Sequence, residues 1–294
     1  MQITDLDLVY ISYDEPRAED FYERLRLISP REPLRVHGIK GFDAAHKRAA
    51  NLAQTDHFIT IDGDNIVRPP FFRWALNLSE YPGDVVFSYT AWNTVNGLAY
   101  GNGGVKIWPR QLLLTVDTHE RANGNDFCWT FRYWQMNDIA SDVHFAQSPY
   151  VAFRAGYREA VKLSLVRNQK FDWPMTRDKI YPPNYARILV WATVGADVTH
   201  GDWAIYGARC GLAHLWLDQL DANLIRDYDW FETRWKKVAQ SDPRTASAYL
   251  GLQLERKLKI DLPMLSAKQS RWFKAVHLNP PRHGLMVPDM APPK

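Results

Sequence analysis

Phe58-Ile59-Thr60-Ile61, followed at once by Asp62-Gly63-Asp64, is a short apolar strand that ends in two acids. Carboxylates two residues apart in an extended segment point to the same side. Such a pair can hold one hard divalent cation, which can in turn bridge a diphosphate. Its position at the end of a strand adds to this, because ligands of open parallel sheets sit outside the carboxyl ends of the strands. The competing reading is a plain turn, since Asp-Gly is a common hairpin dipeptide. An EF-hand loop is excluded: Ile66 and Val67 stand where an oxygen ligand and a glycine are needed.

Upstream, Leu6 to Ser12 is a near-continuous apolar run, as expected of a strand buried on both faces. Asp14-Glu15-Pro16 ends it, and Phe21, Leu25 and Leu27 have helical spacing within Pro16–Leu27. Leu34 to Ile39 reads as a second strand. Asp43 can cap a helix that runs to about Gln54 with Ala44, Ala45, Ala49, Leu52 and Ala53 inside. Downstream, Phe71 to Leu78 reads as a helix and Asp84 to Tyr89 as a fourth strand. Strands alternating with helices predict right-handed crossovers and an α/β fold with a mostly parallel central sheet flanked by helices. Tyr100 to Trp108 is a glycine-rich loop or a turn into a strand, and Pro109 to Leu114 begins a helix. Asp117 to Asp126 is polar and loop-like, Ala155 to Leu165 is helical, Gln169 to Tyr185 is irregular, and Trp203 to Leu217 is helical. The expected division is a sheet-containing domain over 1–228, a basic helical C-terminal appendage over 229–278, and a proline-rich tail over 279–294.

The 294 residues are 46% apolar and 23% charged, which excludes a disordered or collagen-like chain and a disulfide scaffold. The longest apolar run, around Ile188 to Ala196, falls short of the ~20 residues a membrane span requires. Met-Gln-Ile-Thr-Asp-Leu-Asp places acids where a secretion signal carries base and then apolar residues, so the expectation is a cytoplasmic protein with no membrane partner. Cys128 and Cys210 match no zinc or redox spacing. Net charge is only +3, yet from Phe231 onward 12 Lys/Arg face 5 Asp/Glu.

The order of a first strand ending in a polar turn, a helix containing Ala44-Ala45-His46-Lys47-Arg48-Ala49-Ala50-Asn51, and an apolar strand ending in Asp-Gly-Asp resembles the GT-A glycosyltransferases, in their DXD-containing, family-2-like form. The resemblance covers about the first 110 residues, and the rest only in pieces. It implies a Rossmann-related GT-A-like fold and a nucleotide-sugar donor, with a UDP-sugar the first expectation. It also implies Mn²⁺ or Mg²⁺ held by Asp62 and Asp64. Tyr13 would stack on the base and Asp14 would accept from base or ribose, both at the end of the first strand. Lys47 and Arg48 would reach phosphate, and Gly63 would lie against the donor. Gly103 and Gly104, in Tyr100-Gly101-Asn102-Gly103-Gly104-Val105-Lys106-Ile107-Trp108, would line the sugar, since glycines permit close backbone approach; a plain turn is the competing reading. In Asp197-x-x-His200-Gly-Asp202, His200 would be a further metal ligand. Asp202 would be the base that takes the acceptor's proton, with Asp197 and Asp126 as competitors. A helix cap for Asp202 and a buried structural histidine for His200 stand beside these roles. His144 and Tyr157-Arg158-Glu159 are further candidates for acceptor contact.

The basic C-terminal part interleaves Trp230, Trp235, Tyr249, Trp272 and Phe273 with Lys236, Lys237, Arg256, Lys257, Lys259, Lys268, Arg271 and Lys274. That suits a phosphate backbone with bases to stack, and equally a set of amphipathic helices with solvated basic faces. The resemblance extends to phage-encoded members that glycosylate hydroxymethylated pyrimidines, making DNA in a host cytoplasm a candidate acceptor. Two rival functions also fit acids beside a strand. A nucleotidyltransferase acting on a sugar phosphate would carry a glycine-rich basic loop where Asp14-Glu15-Pro16 stands. A non-catalytic nucleic-acid-binding protein on a degenerate GT-A fold would not need Asp62 or Asp64.

Overall fold

The computed structural model describes residues 1–101, 103–118, 130–165 and 179–278. Asn102, Asp126, Cys128 and the expected tail lie outside the described residues. The chain folds as two compact units: Met1–Asn93 with Ala99–His144, and Thr94–Leu98 with the chain from Phe145 onward.

The first unit holds the sheet. Its strands are β1 (Asp7–Ser12), β2 (Leu34–His37), β3 (His57–Asp62), β4 (Asn65–Val67), β5 (Val86–Asn93), β6 (Ala99–Tyr100), β7 (Val105–Pro109) and β8 (Tyr133–Val143). They lie in the order β2-β1-β3-β7-β5-β8-β4, with β6 paired to β5. Among the described residues, helices α1 (Ala18–Ile28), α2 (Phe42–Leu52) and α3 (Arg110–Thr115) accompany it. The α/β class expected from the sequence is the observed one, with a mixed central sheet where a mostly parallel one was expected. β2, β1 and β3 are parallel, as are β5 and β8. β7 runs against both β3 and β5, because its short link from β5 leaves no room for a crossover.

Strand alternation gives this sheet two cores. Leu8, Tyr10, Ile59 and Ile61 pack with Phe21 and Leu25 of α1. Val9, Ile11, Phe58 and Trp108 pack with Ala45, Ala49 and Ala50 of α2 and Leu113 of α3. Helices therefore cover both faces, which is why the strands read as continuous apolar runs. Three local expectations are corrected. Asp43 is not the cap of α2, which Gly41 opens; it lies buried in the first turn, where its carboxylate meets Lys47 at 3.2 Å and accepts from the Thr118 N–H. The helix expected over Phe71–Leu78 is two 3₁₀ turns, Pro69–Arg73 and Leu78–Glu80, since Pro69-Pro70 opens a turn that Trp74 leaves in extended conformation. The chain over 182–191, read as partly irregular, is helix α5 (Pro182–Trp191), with Pro182 and Pro183 at its start, where proline needs no N–H partner.

The second unit is helical: α4 (Pro149–Leu163), α5, α6 (Gly201–Trp216), α7 (Tyr228–Val238), α8 (Pro243–Leu258) and α9 (Ala267–Phe273). Ser148, Asp227, Asp242 and Ser266 cap four of these with side-chain oxygens. α4 and α6 are in backbone contact: a Cβ on Gly207 would stand 1.9 Å from the Phe153 carbonyl, and one on Gly156 would stand 2.0 Å from that of Ala204. Arg209 of α6 is fully buried and donates to the carbonyls of Ala192, Ser247, Leu262 and Pro263. Burial lowers its pKa to about 10, so the guanidinium stays charged and ties α6 to the end of α5, to α8 and to the chain that follows α8. Among the described residues no helix is long and apolar enough to cross a membrane.

Candidate active site

The connection from β1 through α1 places β2 on one side of β1, and the connection through α2 places β3 on the other. The strand order reverses at β1, which opens the crevice where ligands of such sheets bind. Asp62, the last residue of β3, is in register with Ile11, one residue before the end of β1. Tyr13 and Asp14 follow directly, so the sequence-predicted Tyr13, Asp14, Asp62, Gly63 and Asp64 gather at one edge of the sheet.

The acid turn is not a hairpin. β3 and β4 flank Gly63-Asp64 yet do not pair: β3 lies between β1 and β7, while β4 pairs antiparallel with β8. Nor are the acids two steps of one strand. Gly63 and Asp64 form the turn between β3 and β4, so strand alternation does not orient them, and the reasoning from an extended segment is corrected. Hydrogen bonds orient them instead. The Tyr10 hydroxyl lies 2.9 Å from the Gly63 carbonyl and 3.0 Å from that of Ala18, with one proton to share between them. The His144 N–H donates to the Asp64 carbonyl at 2.8 Å, and the Asn65 amide donates to the Asp64 carboxylate at 2.6 Å. The Asn65 carbonyl oxygen accepts from the Ser141 hydroxyl.

Three carboxylates crowd this turn. Burial, then the charge of Asp62, then that of Glu15, push the Asp64 carboxyl up to about 7. Burial also raises Glu15, whose carboxylate accepts from the Tyr13 N–H at 2.7 Å. A Cβ on Gly63 would stand 2.7 Å from a Glu15 oxygen, so only glycine lets the turn close over Glu15. Lys106 of β7 answers this negative charge. Its buried ammonium lies 3.8 Å from an Asp62 oxygen and donates to the Gly103 carbonyl at 2.9 Å. Gly103 and Gly104 pack behind the acids: a Cβ on Gly104 would lie 2.4 Å from the Asn65 amide nitrogen and 2.6 Å from Asp62 Cβ.

Lys47, on α2, is engaged by Asp43 at 3.2 Å and Asp117 at 3.3 Å, and Arg48 beside it is exposed. The His144 ring packs tilted against Phe21 at 5.1 Å, and burial lowers its pKa. All donors at the acid turn are oxygens, which suits a hard cation such as Mg²⁺ or Mn²⁺. Among the described residues no group of three His, Cys, Asp or Glu side chains is gathered as a metal centre. Asp62 and Asp64 are the carboxylates of the turn that could hold such a cation.

The remaining candidates belong to the helical unit. Gly195, at φ 147°, starts a tight loop that ends at His200, itself left-handed at φ 62°. Asp197 is buried within it: one oxygen meets Lys274 at 2.7 Å and the other has no hydrogen-bond partner. Lys274 also donates to the Val95 carbonyl. Asp202, in the first turn of α6, pairs with Arg244 at 3.2 Å and keeps about a third of its side chain exposed. His200 makes no capping bond. Tyr157 is buried against His214, to which its hydroxyl bonds at 2.6 Å, so it is core. Of the C-terminal aromatics, Trp230 packs on Tyr157 and Phe231, Trp235 on Phe153 and Trp203, and Trp272 and Phe273 on His277. Only Tyr249 of the five is largely exposed.

No protein-family model and no curated protein matches the chain. Among solved structures it is similar to the mannosyltransferase PcManGT from Pyrobaculum calidifontis, in complex with GDP-Man and Mn²⁺, at 13% identity and a TM-score of 0.35, over 83% of this chain and 84% of that one.

Proposed function

We propose that this protein is a metal-dependent glycosyltransferase that takes its sugar from a nucleotide-sugar donor, on a GT-A-like sheet. The observation that carries the reading is the acid turn Asp62-Gly63-Asp64 at the point where strand order reverses, where burial first, and then the neighbouring charges of Asp62 and Glu15, raise Asp64 to about 7. Such crowding is unfavourable in the free protein and is relieved by a bound cation. Asp62 and Asp64 would hold that cation, and when bound it would neutralise charge that builds on the leaving diphosphate.

The protein's own residues have separable roles. Tyr13 and Asp14, at the tip of β1, offer a ring face and an acceptor for base and ribose. Gly104 and Asn65 fix the acid turn from behind, so that its carboxylates need not reorganise. Within the helical unit, Asp202 is the residue of the Asp197/Asp202 pair with open surface, and Asp197 is enclosed by Lys274. The acceptor is a hydroxyl.

The test is thermal unfolding with UDP-, GDP-, dTDP- and CMP-linked sugars, each with and without Mn²⁺. A ligand at 100 times its Kd stabilises by about 2.7 kcal/mol. One donor class should raise Tm only with Mn²⁺, and Asp62→Asn should abolish the rise while keeping the fold. A rise that ignores metal, or survives Asp62→Asn, counts against the reading.

A further inference from the structure

A lysine buried in a sheet is costly unless something answers its charge. Lys106 is the second residue of β7, opposite Thr60 of β3 and Ser88 of β5, and its side chain is 7% exposed. Its ammonium is pinned by the Gly103 carbonyl at 2.9 Å and stands 3.8 Å from Asp62. It cannot easily withdraw. The Asp62 N–H donates to the Gly104 carbonyl, locking β7 to the acid turn, and Gly103 is so close to β5 that a Cβ there would lie 2.1 Å from the Tyr89 carbonyl.

We infer that Lys106 is the standing counter-ion of Asp62 and sets how tightly the acid turn takes a divalent cation. The inference rests on the reading that Asp62 and Asp64 hold that cation. A fixed positive charge against one of two carboxylate ligands repels a second cation. It therefore weakens metal binding by the unliganded protein, and makes tight binding depend on the negative charge that a diphosphate brings. Lys106 is in this sense a positioning residue that acts through Asp62 and not on substrate.

The experiment is Mn²⁺ titration at pH 8, read by electron paramagnetic resonance of the free ion, on the full chain and on Lys106→Met, Lys106→Arg and Asp62→Asn. Lys106→Met should bind Mn²⁺ about tenfold more tightly, Lys106→Arg like the parent, and Asp62→Asn much more weakly. Adding UDP should tighten Mn²⁺ binding less in Lys106→Met than in the parent. Should the Met variant fail to fold, Lys106→Gln, which can still donate to Gly103, carries the same expectation. A folded Met or Gln variant with unchanged or weaker Mn²⁺ affinity overturns the inference but leaves the metal site standing. Absence of Mn²⁺ binding in the parent and every variant overturns the metal reading itself, and the inference with it.

Discussion

Replacing Asp64 by asparagine should stabilise the metal-free protein while removing its metal response. The Asp64 carboxyl has a folded pKa of about 7 against 3.8 for an ordinary aspartate, raised first by burial and then by Asp62 and Glu15. At about 1.4 kcal/mol per pH unit, the full difference is roughly 4 kcal/mol. Part of Asp64 meets solvent, which reduces the expected effect to roughly 2–3 kcal/mol. The sign follows from proton binding. Between pH 4 and 7 the folded state holds this proton and the unfolded state has lost it, so stability falls as pH rises through that window and is flat above it. Asparagine keeps the shape and can still accept from the Asn65 amide, but never charges. Urea unfolding with EDTA should show the variant about 2–3 kcal/mol more stable than the parent at pH 8 and level with it at pH 4. Saturating Mn²⁺ at pH 8 should stabilise the parent and leave the variant unmoved. A variant no more stable than the parent at pH 8, or a difference that is the same at both pH values, would refute the account of the acid turn.

Three further outcomes follow from packing and charge. Lys274→Met leaves the buried Asp197 carboxylate without its ammonium and should cost about 3–5 kcal/mol in chemical denaturation, much of it restored by adding Asp197→Asn. Gly104→Ala drives a methyl against Asn65 and Asp62; it should cost about 1–3 kcal/mol and also reduce the rise in Tm that Mn²⁺ gives. Gly207→Ala would gain about 1 kcal/mol if helix propensity alone mattered. With the Phe153 carbonyl 1.9 Å from the new Cβ it should instead destabilise the α4–α6 pair, and a raised Tm would contradict that contact.

Where burial on both faces leaves an unbroken apolar signature, the chain is readable. Leu8 to Ile11 and Phe58 to Ile61 announced β1 and β3, and the alanines of α2 announced the helix between them. β8 escaped such reading: Gln135, Asn137, Asp138, Ser141 and Asp142 break any alternation, and register shifts at Tyr89–Ala91 interrupt its pairing with β5. Its place is set by partners far along the chain, with Arg68 on Asp142 and Asn65 on Ser141. Lys106 escaped notice for the same reason, since its carboxylate lies 44 positions earlier in sequence and the two meet only because β7 pairs with β3.

By itself the amino-acid sequence determined the strand–helix alternation from β1 to β3 and the presence of two acids at the end of a strand, because periodicity and turn chemistry act between near neighbours. The tertiary structure alone decided that Gly63-Asp64 leaves the sheet instead of forming a hairpin. It also decided that Glu15 and Lys106 stand beside the acids, that Asp197 is sealed by Lys274, and that the tryptophans of α7 pack inward. Each of those facts is a meeting of groups remote in sequence, and desolvation and Coulomb energy act through space, with no trace in local order.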